Sequence, residues 1–109
     1  MANCVAYNIR HSLRSTTMCV PLGKLNESLD DLNNYLDNIN KFIDKYGQSE
    51  GVGKDDANAG IIIVNTGKKI VDISFSQNLG IDKQKVNRIV EELKNKKYNV
   101  KAQFPSTPF

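Results

Sequence analysis

The residues best suited to chemistry in this chain are one histidine, His11, and two cysteines, Cys4 and Cys19. A thiolate beside an imidazole can act as a nucleophile with its base, but no Asp or Asn flanks His11 to orient its ring. Two nearby cations, Arg10 and Arg14, discourage a metal ion, and two thiols with one imidazole make a poor ligand set for zinc. We therefore expect no catalytic residue, no metal, no cofactor and no enzyme activity. An enzyme that uses Cys4 or Cys19 is kept as an alternative hypothesis.

The redox state of the two cysteines depends on the compartment. An export signal is recognised by a basic segment followed by an apolar one, and the first ten residues lack this pattern. We therefore expect a cytoplasmic protein with both thiols reduced and packed. A disulfide between Cys4 and Cys19 is the alternative if residues 4–19 form a hairpin. No apolar run approaches the roughly 18 residues of a membrane helix, so no membrane partner is expected.

The Gly-, Asp- and Ser-rich segment 47–60 invites comparison with a phosphate loop and with a calcium loop. A phosphate loop requires G-x-x-x-x-G-K-[ST], but counting back from Gly53 the first glycine position holds Gln48, and Asp55 replaces the Ser or Thr. A calcium loop starting at Asp55 would carry alanines at its third and fifth positions and Thr66 at its twelfth. Neither ligand is predicted, and the segment is interpreted as a plain loop.

Basic residues are concentrated in the second half of the chain. Residues 57–109 contain nine bases and four acids, whereas residues 25–56 contain eight acids and three lysines. A phosphate-binding surface could be formed by Lys83, Lys85, Arg88, Lys94, Lys96, Lys97 and Lys101. Two glutamates interrupt this set, and the predicted sheet lacks the exposed aromatics of an RNA-binding platform. Nucleic-acid binding is therefore the weaker of two functional hypotheses.

An apolar stripe with alternating spacings of four and three residues dominates the first half of the chain. Its members are Leu25, Leu29, Leu32, Leu36, Ile39, Ile43 and Tyr46. This spacing places the seven side chains on one side of a single long helix that ends before Gly47. The stripe must be buried, either on the protein's own sheet or against a second copy. Tyr35 and Phe42 widen it, which favours packing on the sheet without excluding an overhang that pairs with another copy.

Strands are predicted on both sides of this helix. Val5, Tyr7 and Ile9 alternate with smaller or polar residues, and residues 17–20 add a second extended piece, so residues 1–20 hold either one strand or a hairpin. The run over residues 61–64 is entirely β-branched, which is typical of a strand covered on both faces.

The remaining elements follow at short intervals. Val71, Ile73 and Phe75 alternate with polar residues and form the second arm of a hairpin with one wet face. Asp82 is a suitable N-cap for a short helix, and alternation over residues 98–104 predicts a last strand.

The resulting order is strand, long helix, strand, strand, short helix, strand. It predicts an α+β domain with the ferredoxin-like β-α-β-β-α-β order. In such a domain both helices, one long and one short, pack on one face of an antiparallel sheet. We expect residues 1–104 to form this single domain and residues 105–109 an extended tail.

The absence of catalytic motifs favours a small non-catalytic protein-binding or assembly module. Its partner would be another protein, a second copy in a homodimer, or both, and the apolar stripe is the candidate contact surface. A regulator or inhibitor of the phage or plasmid type, which acts by occupying a partner's surface, fits this description. A nucleic-acid-binding regulator that uses the basic residues of 83–101 is the alternative.

Overall fold

Three α-helices pack on one face of a five-stranded mixed sheet in this computed structural model, which describes residues 4–47, 59–77 and 80–105. The molecule measures 34 × 31 × 18 Å, and its short dimension matches one sheet and one layer of helices, each about 10 Å thick. The α+β class is therefore confirmed. Most of the predicted loop over 47–60, and the tail beyond residue 105, lie outside the described residues.

The chain begins with a β-hairpin, which is one of the two alternatives left open for residues 1–20. β1 (Cys4–His11) and β2 (Arg14–Pro21) pair antiparallel along their whole length. The connection needs only two residues because Ser12 adopts a positive φ of 57°, which suits the twist of the two strands.

The hairpin register brings the two cysteines together in a disulfide. Cys19 lies opposite Ala6 and Cys4 opposite Pro21, so both side chains occupy the same face one step apart. Their Cα atoms are 5.6 Å apart, inside the range that a disulfide spans. The expectation of two free thiols is thus wrong and the disulfide alternative is the observed one, because residues 4–19 do form a hairpin. No thiolate is left for catalysis, and His11 lies at the far end of β1.

The long helix predicted from the apolar stripe is in fact broken. α1 (Leu25–Asn34) and α2 (Ile39–Tyr46) are separated by a 3-10 turn over Leu36–Asn38. Asn38 has φ −141° and ψ 64°, far from helical values. Apart from Leu36, the residues over 33–38 are Asn, Tyr and Asp, which are weak helix formers. The break therefore occurs where the local helix propensity is lowest.

Both helices turn the stripe toward the sheet, in spite of the break. Each of its seven side chains is at most 4% exposed: Leu25, Leu29, Leu32, Leu36, Ile39, Ile43 and Tyr46. The intramolecular alternative is thus the observed one, and no overhang remains to pair with a second copy. These side chains have no surface to offer to a partner.

The sheet is mixed, so the prediction of an antiparallel sheet is wrong. β3 (Gly60–Asn65), β4 (Ile70–Phe75) and β5 (Asn99–Gln103) complete the spatial order β2-β1-β3-β4-β5. β1 with β3, and β4 with β5, are parallel pairs, while the two hairpins are antiparallel. The crossover through α3 returns the chain to the end of the sheet where β4 begins, which makes β5 parallel to β4. The connection through α1 and α2 instead leaves β3 antiparallel to β2, and β3 then pairs with β1, to which it is parallel. The ferredoxin-like order is not confirmed.

α3 (Lys83–Asn95) connects β4 to β5 and begins where the sequence predicts. The carboxylate of Asp82 accepts hydrogen bonds from the backbone N–H of Gln84 at 3.0 Å and of Lys85 at 3.2 Å. These bonds satisfy two N–H groups that the first helical turn leaves without partners. The N-cap prediction at Asp82 is therefore confirmed.

The disulfide makes stability dependent on redox state. It closes a separation of 15 residues, and a constraint of this length on the unfolded chain contributes about 3 kcal/mol. Reduction should lower the free energy of unfolding, measured by urea denaturation with and without a phosphine reductant, by about this amount. A Cys4→Ala/Cys19→Ala variant serves as the control, since its stability should not respond to the reductant. Equal stability of the oxidised and reduced protein would contradict the expectation.

Candidate functional site

The face of the sheet opposite the helices, here termed the open face, is the candidate functional surface. Strand register sets its side chains in three rows that run from β2 to β5. The first row is Cys19, Ala6, Ile61, Ser74, Gln103; the second is Thr17, Asn8, Ile63, Asp72, Lys101; the third is Ser15, Arg10, Asn65, Ile70, Asn99.

Apolar side chains are exposed on this face. Ile61 is 47%, Ile63 41% and Ile70 37% exposed. The remaining large exposed apolar residue among those described is Leu13, at the tip of the first hairpin. Single exposed apolar residues are ordinary, but neighbours on one flat surface are typical of an interaction site. The prediction that residues 61–64 are covered on both faces is wrong, because the helices cover only Ile62 and Val64.

A shallow recess of about 250 Å³ lies between β3 and β4 on the open face, lined by Gly60, Ile61, Ile63, Asp72, Ser74 and Ser76. Gly60 is essential to its shape. This residue has a φ of +155°, and a Cβ placed there would collide with the carbonyl oxygen of Ser74 and lie 2.9 Å from the Cα of Phe75. Only glycine allows the two strands to approach this closely at the end of the recess.

Asp72 supplies the charge of the recess. It is the one charged residue in the lining, between isoleucines of β3 and the hydroxyl of Ser74. Lys101 is its register neighbour on β5, yet among the described residues no cation lies within ion-pair distance of Asp72. Asp72 as a whole is half-buried.

The basic set predicted from the sequence does not form one surface. Lys101 lies on the open face, in the row of Asp72. The other members belong to α3 or to the turn after it, on the opposite side of the sheet: Lys83, Lys85, Arg88, Lys94, Lys96 and Lys97. The sequence placed them near one another along the chain, but the sheet separates Lys101 from the rest.

Three of the six members on the helix side contact neighbouring groups outside α3. Lys85 forms an ion pair with Asp30 at 2.8 Å, and the Lys96 ammonium donates to the backbone oxygen of Asn33. The Lys83 ammonium lies 5.1 Å from the centre of the Phe104 ring. These contacts hold α3 against α1 and against the segment after β5. The three lysines therefore already interact with groups of their own chain.

A second cluster of ionisable groups joins α1 to α2. The Asp31 carboxylate accepts hydrogen bonds from the Tyr46 hydroxyl at 2.5 Å and from the Lys45 ammonium at 2.8 Å. Lys45 also pairs with Glu27 at 2.8 Å. We call these four residues the helix clasp. Beneath it, the buried Tyr7 hydroxyl shares a hydrogen bond with Ser28 at 2.8 Å.

The pKa values of the helix clasp follow from these contacts. Partial burial alone would raise the pKa of Asp31, but hydrogen bonds from Lys45 and Tyr46 and the charge of Lys45 outweigh it and lower that pKa. Hydrogen bonds to Asp31 and Glu27 raise the pKa of Lys45, and burial followed by the Asp31 contact raises the pKa of Tyr46. These pKa shifts favour the charged forms of Asp31 and Lys45 and the neutral form of Tyr46, as expected for a structural arrangement.

The helix clasp escaped the sequence analysis for a geometric reason. Asp31 and Lys45 are 14 residues apart, and on one straight helix they would be separated by about 21 Å. Their contact at 2.8 Å exists only because the chain breaks and α2 returns beside α1. The recess was missed for a similar reason, since its residues come from two strands and the register was not predicted.

The fold and the site together define an α+β protein in which the described helices pack on one face of a mixed five-stranded sheet. No described helix is long and apolar enough to cross a membrane. The described residues contain no group of three or more His, Cys, Asp or Glu side chains that could hold a metal ion.

Sequence comparison places this architecture in a known family. The family described as Thermoplasma acidophilum protein TA0956 matches residues 1–103, and the chain belongs to it. An NMR structure of TA0956 is 27% identical, with a TM-score of 0.69 over 95% of this chain and 100% of that one. No curated protein matches the sequence. The family description names no activity.

Replacing Gly60 tests the backbone geometry under the recess. Gly60→Ala should lower the free energy of unfolding by about 3 kcal/mol, because the new Cβ meets the backbone of β4 and the φ is unfavourable. Urea denaturation measures the change. Gly23→Ala is the matched control, since a Cβ there meets nothing within 4 Å. Similar stability for the two variants would contradict the assigned role of Gly60.

The helix clasp should make stability fall in acid. The folded-state pKa of Asp31 is below its usual value of 3.8, so its contribution is present above that pH and is lost as the pH falls through the folded-state pKa. Asp31→Asn should lower the free energy of unfolding by about 1 kcal/mol at neutral pH. The stability of this variant should also fall less steeply than that of the wild type as the pH is lowered. Asp44→Asn, an exposed carboxylate outside the helix clasp, is the control. An unchanged acid limb in Asp31→Asn would rule out this account.

Proposed function

We propose that the protein is a non-catalytic protein-binding module whose docking surface is the open face of its sheet. The observation that carries the proposal is the mismatch on β3. Its Ile61-Ile62-Ile63-Val64 sequence has the composition of a strand covered on both faces, yet the helices in the described part of the chain lie on one face, and Ile61 and Ile63 are exposed on the other. Another polypeptide chain can supply the missing cover.

The apolar contribution to such docking can be estimated. Covering the exposed part of Ile61, Ile63 and Ile70 would contribute about 1 kcal/mol for each side chain. A micromolar complex requires about 8 kcal/mol in total. The isoleucines therefore supply a contact centre, and polar groups around them must add affinity and orientation.

A nucleic-acid-binding role is the second candidate. The observation in its favour is that Arg88, Lys94 and Lys97 are exposed at the outer side and end of α3. It is weakened because Lys94 lies 3.9 Å from Glu91 and because Lys101 lies on the other side of the sheet. Binding of this kind would fall steeply with added salt, whereas docking on isoleucines would not.

The docking surface is tested by an Ile61→Glu/Ile63→Glu variant used as immobilised bait. Proteins captured by the wild type should be depleted roughly tenfold or more with the variant, because each added carboxylate places an unpaired charge in the contact. Quantitative mass spectrometry measures the captured proteins. Leu13→Glu is the matched control, since it makes the same chemical change at an exposed residue distant from the recess. Circular dichroism verifies that all three proteins are folded.

Two results would count against this proposal. One is equal capture by the wild type and the Ile61→Glu/Ile63→Glu variant. The other is salt-sensitive binding of a mixed-sequence duplex that persists in that variant, which would favour the nucleic-acid role. Sedimentation equilibrium on the same proteins identifies a second copy as the partner if a wild-type dimer dissociates in the variant.

A further inference from the structure

The recess on the open face has the size of one long side chain. Its volume of about 250 Å³ is below the roughly 300–1,000 Å³ of pockets that hold small organic ligands. It opens along the sheet surface between Ile61 and Ile63 on one side and Asp72 and Ser74 on the other. A side chain that projects from a docked polypeptide can enter it from the solvent side.

The lining of the recess selects among side chains. The isoleucines offer apolar surface, whereas Asp72 offers a carboxylate and Ser74 a hydroxyl. Lysine and arginine combine an aliphatic stem with a cationic end, so the stem would lie on the isoleucines while the cation meets Asp72. An acidic side chain would meet a like charge. A purely apolar one would remove water from Asp72 without replacing its hydrogen bonds.

Asp72 has the capacity to accept this cation. Among the residues that the structure describes, none forms an ion pair with its carboxylate. Lys101 is adjacent in register on β5 but does not reach ion-pair distance. Lys101 therefore lowers the local attraction for an incoming cation without occupying the carboxylate.

We infer that the recess receives a lysine or arginine side chain from the polypeptide that docks on the open face. The inference rests on the proposed docking function and names the chemistry of the contact. The complementary features are the carboxylate of Asp72, the apolar surface of Ile61 and Ile63, and a volume that admits one extended side chain.

Blocked pentapeptides provide the test, with a central lysine, arginine or norleucine flanked by two alanines on each side. Norleucine has the aliphatic stem without the charge. NMR titration of the full chain should show shifts of the Ile61 and Ile63 methyl signals with the lysine and arginine peptides, and roughly fivefold weaker binding of the norleucine peptide. Asp72→Asn should weaken lysine-peptide binding to the norleucine level, while Asp44→Asn leaves it unchanged. Lys101→Gln should strengthen it, because a competing positive charge is removed.

The outcomes separate this inference from the proposed function. Equal binding of the lysine and norleucine peptides, no effect of Asp72→Asn, or no shift with any peptide would overturn the basic side chain as the occupant. The capture experiment with Ile61→Glu/Ile63→Glu tests the docking surface independently of that result. If the open face captures a partner but the peptide test fails, the proposed function stands. Only the basic side chain as the occupant of the recess is then rejected.

Discussion

The return of α2 alongside α1 is the constraint on which the rest of the molecule depends. A single straight helix of this length would extend about 33 Å, and it would cover a narrow band of a sheet five strands wide. Breaking the helix at Leu36–Asn38 produces two short helices, which cover the sheet beside α3 and bury the whole apolar stripe. The helix clasp stabilises this return, since Asp31 holds Lys45 and Tyr46 across the gap.

All three helices of residues 4–47, 59–77 and 80–105 lie on one face of the sheet. β3 lies at the centre of the sheet, where apolar side chains on both faces would normally be buried. Ile62 and Val64 meet the helices and are fully buried, while Ile61 and Ile63 remain exposed beside the carboxylate of Asp72. The open face is therefore apolar at Ile61 and Ile63 on the central strand, with mostly polar side chains on the strands beside it.

The acidic and basic segments of the sequence partly pair with each other in the folded chain. The acidic segment that contains α1 and the basic segment that contains α3 become neighbours in the fold. Asp30 pairs with Lys85 at 2.8 Å, and Asn33 contacts both Glu92 and Lys96. In the sequence, the acidic and basic segments suggest two separate binding surfaces. In the fold, some of their opposite charges meet where α1 packs on α3. This is a reason to place the proposed docking surface on the sheet.

Local patterns in the sequence were sufficient to place most elements. Alternation predicted the strands around Tyr7, Ile73 and Val100, and Asp82 marked the start of α3, because periodicity and capping depend on residues close together in the chain. The helix break, the parallel pairings, the disulfide and the recess required the folded structure. Each depends on which distant segments meet. A β-branched run such as residues 61–64 cannot specify whether one face or two will be covered, since that is settled by how many helices the rest of the chain can place on the sheet.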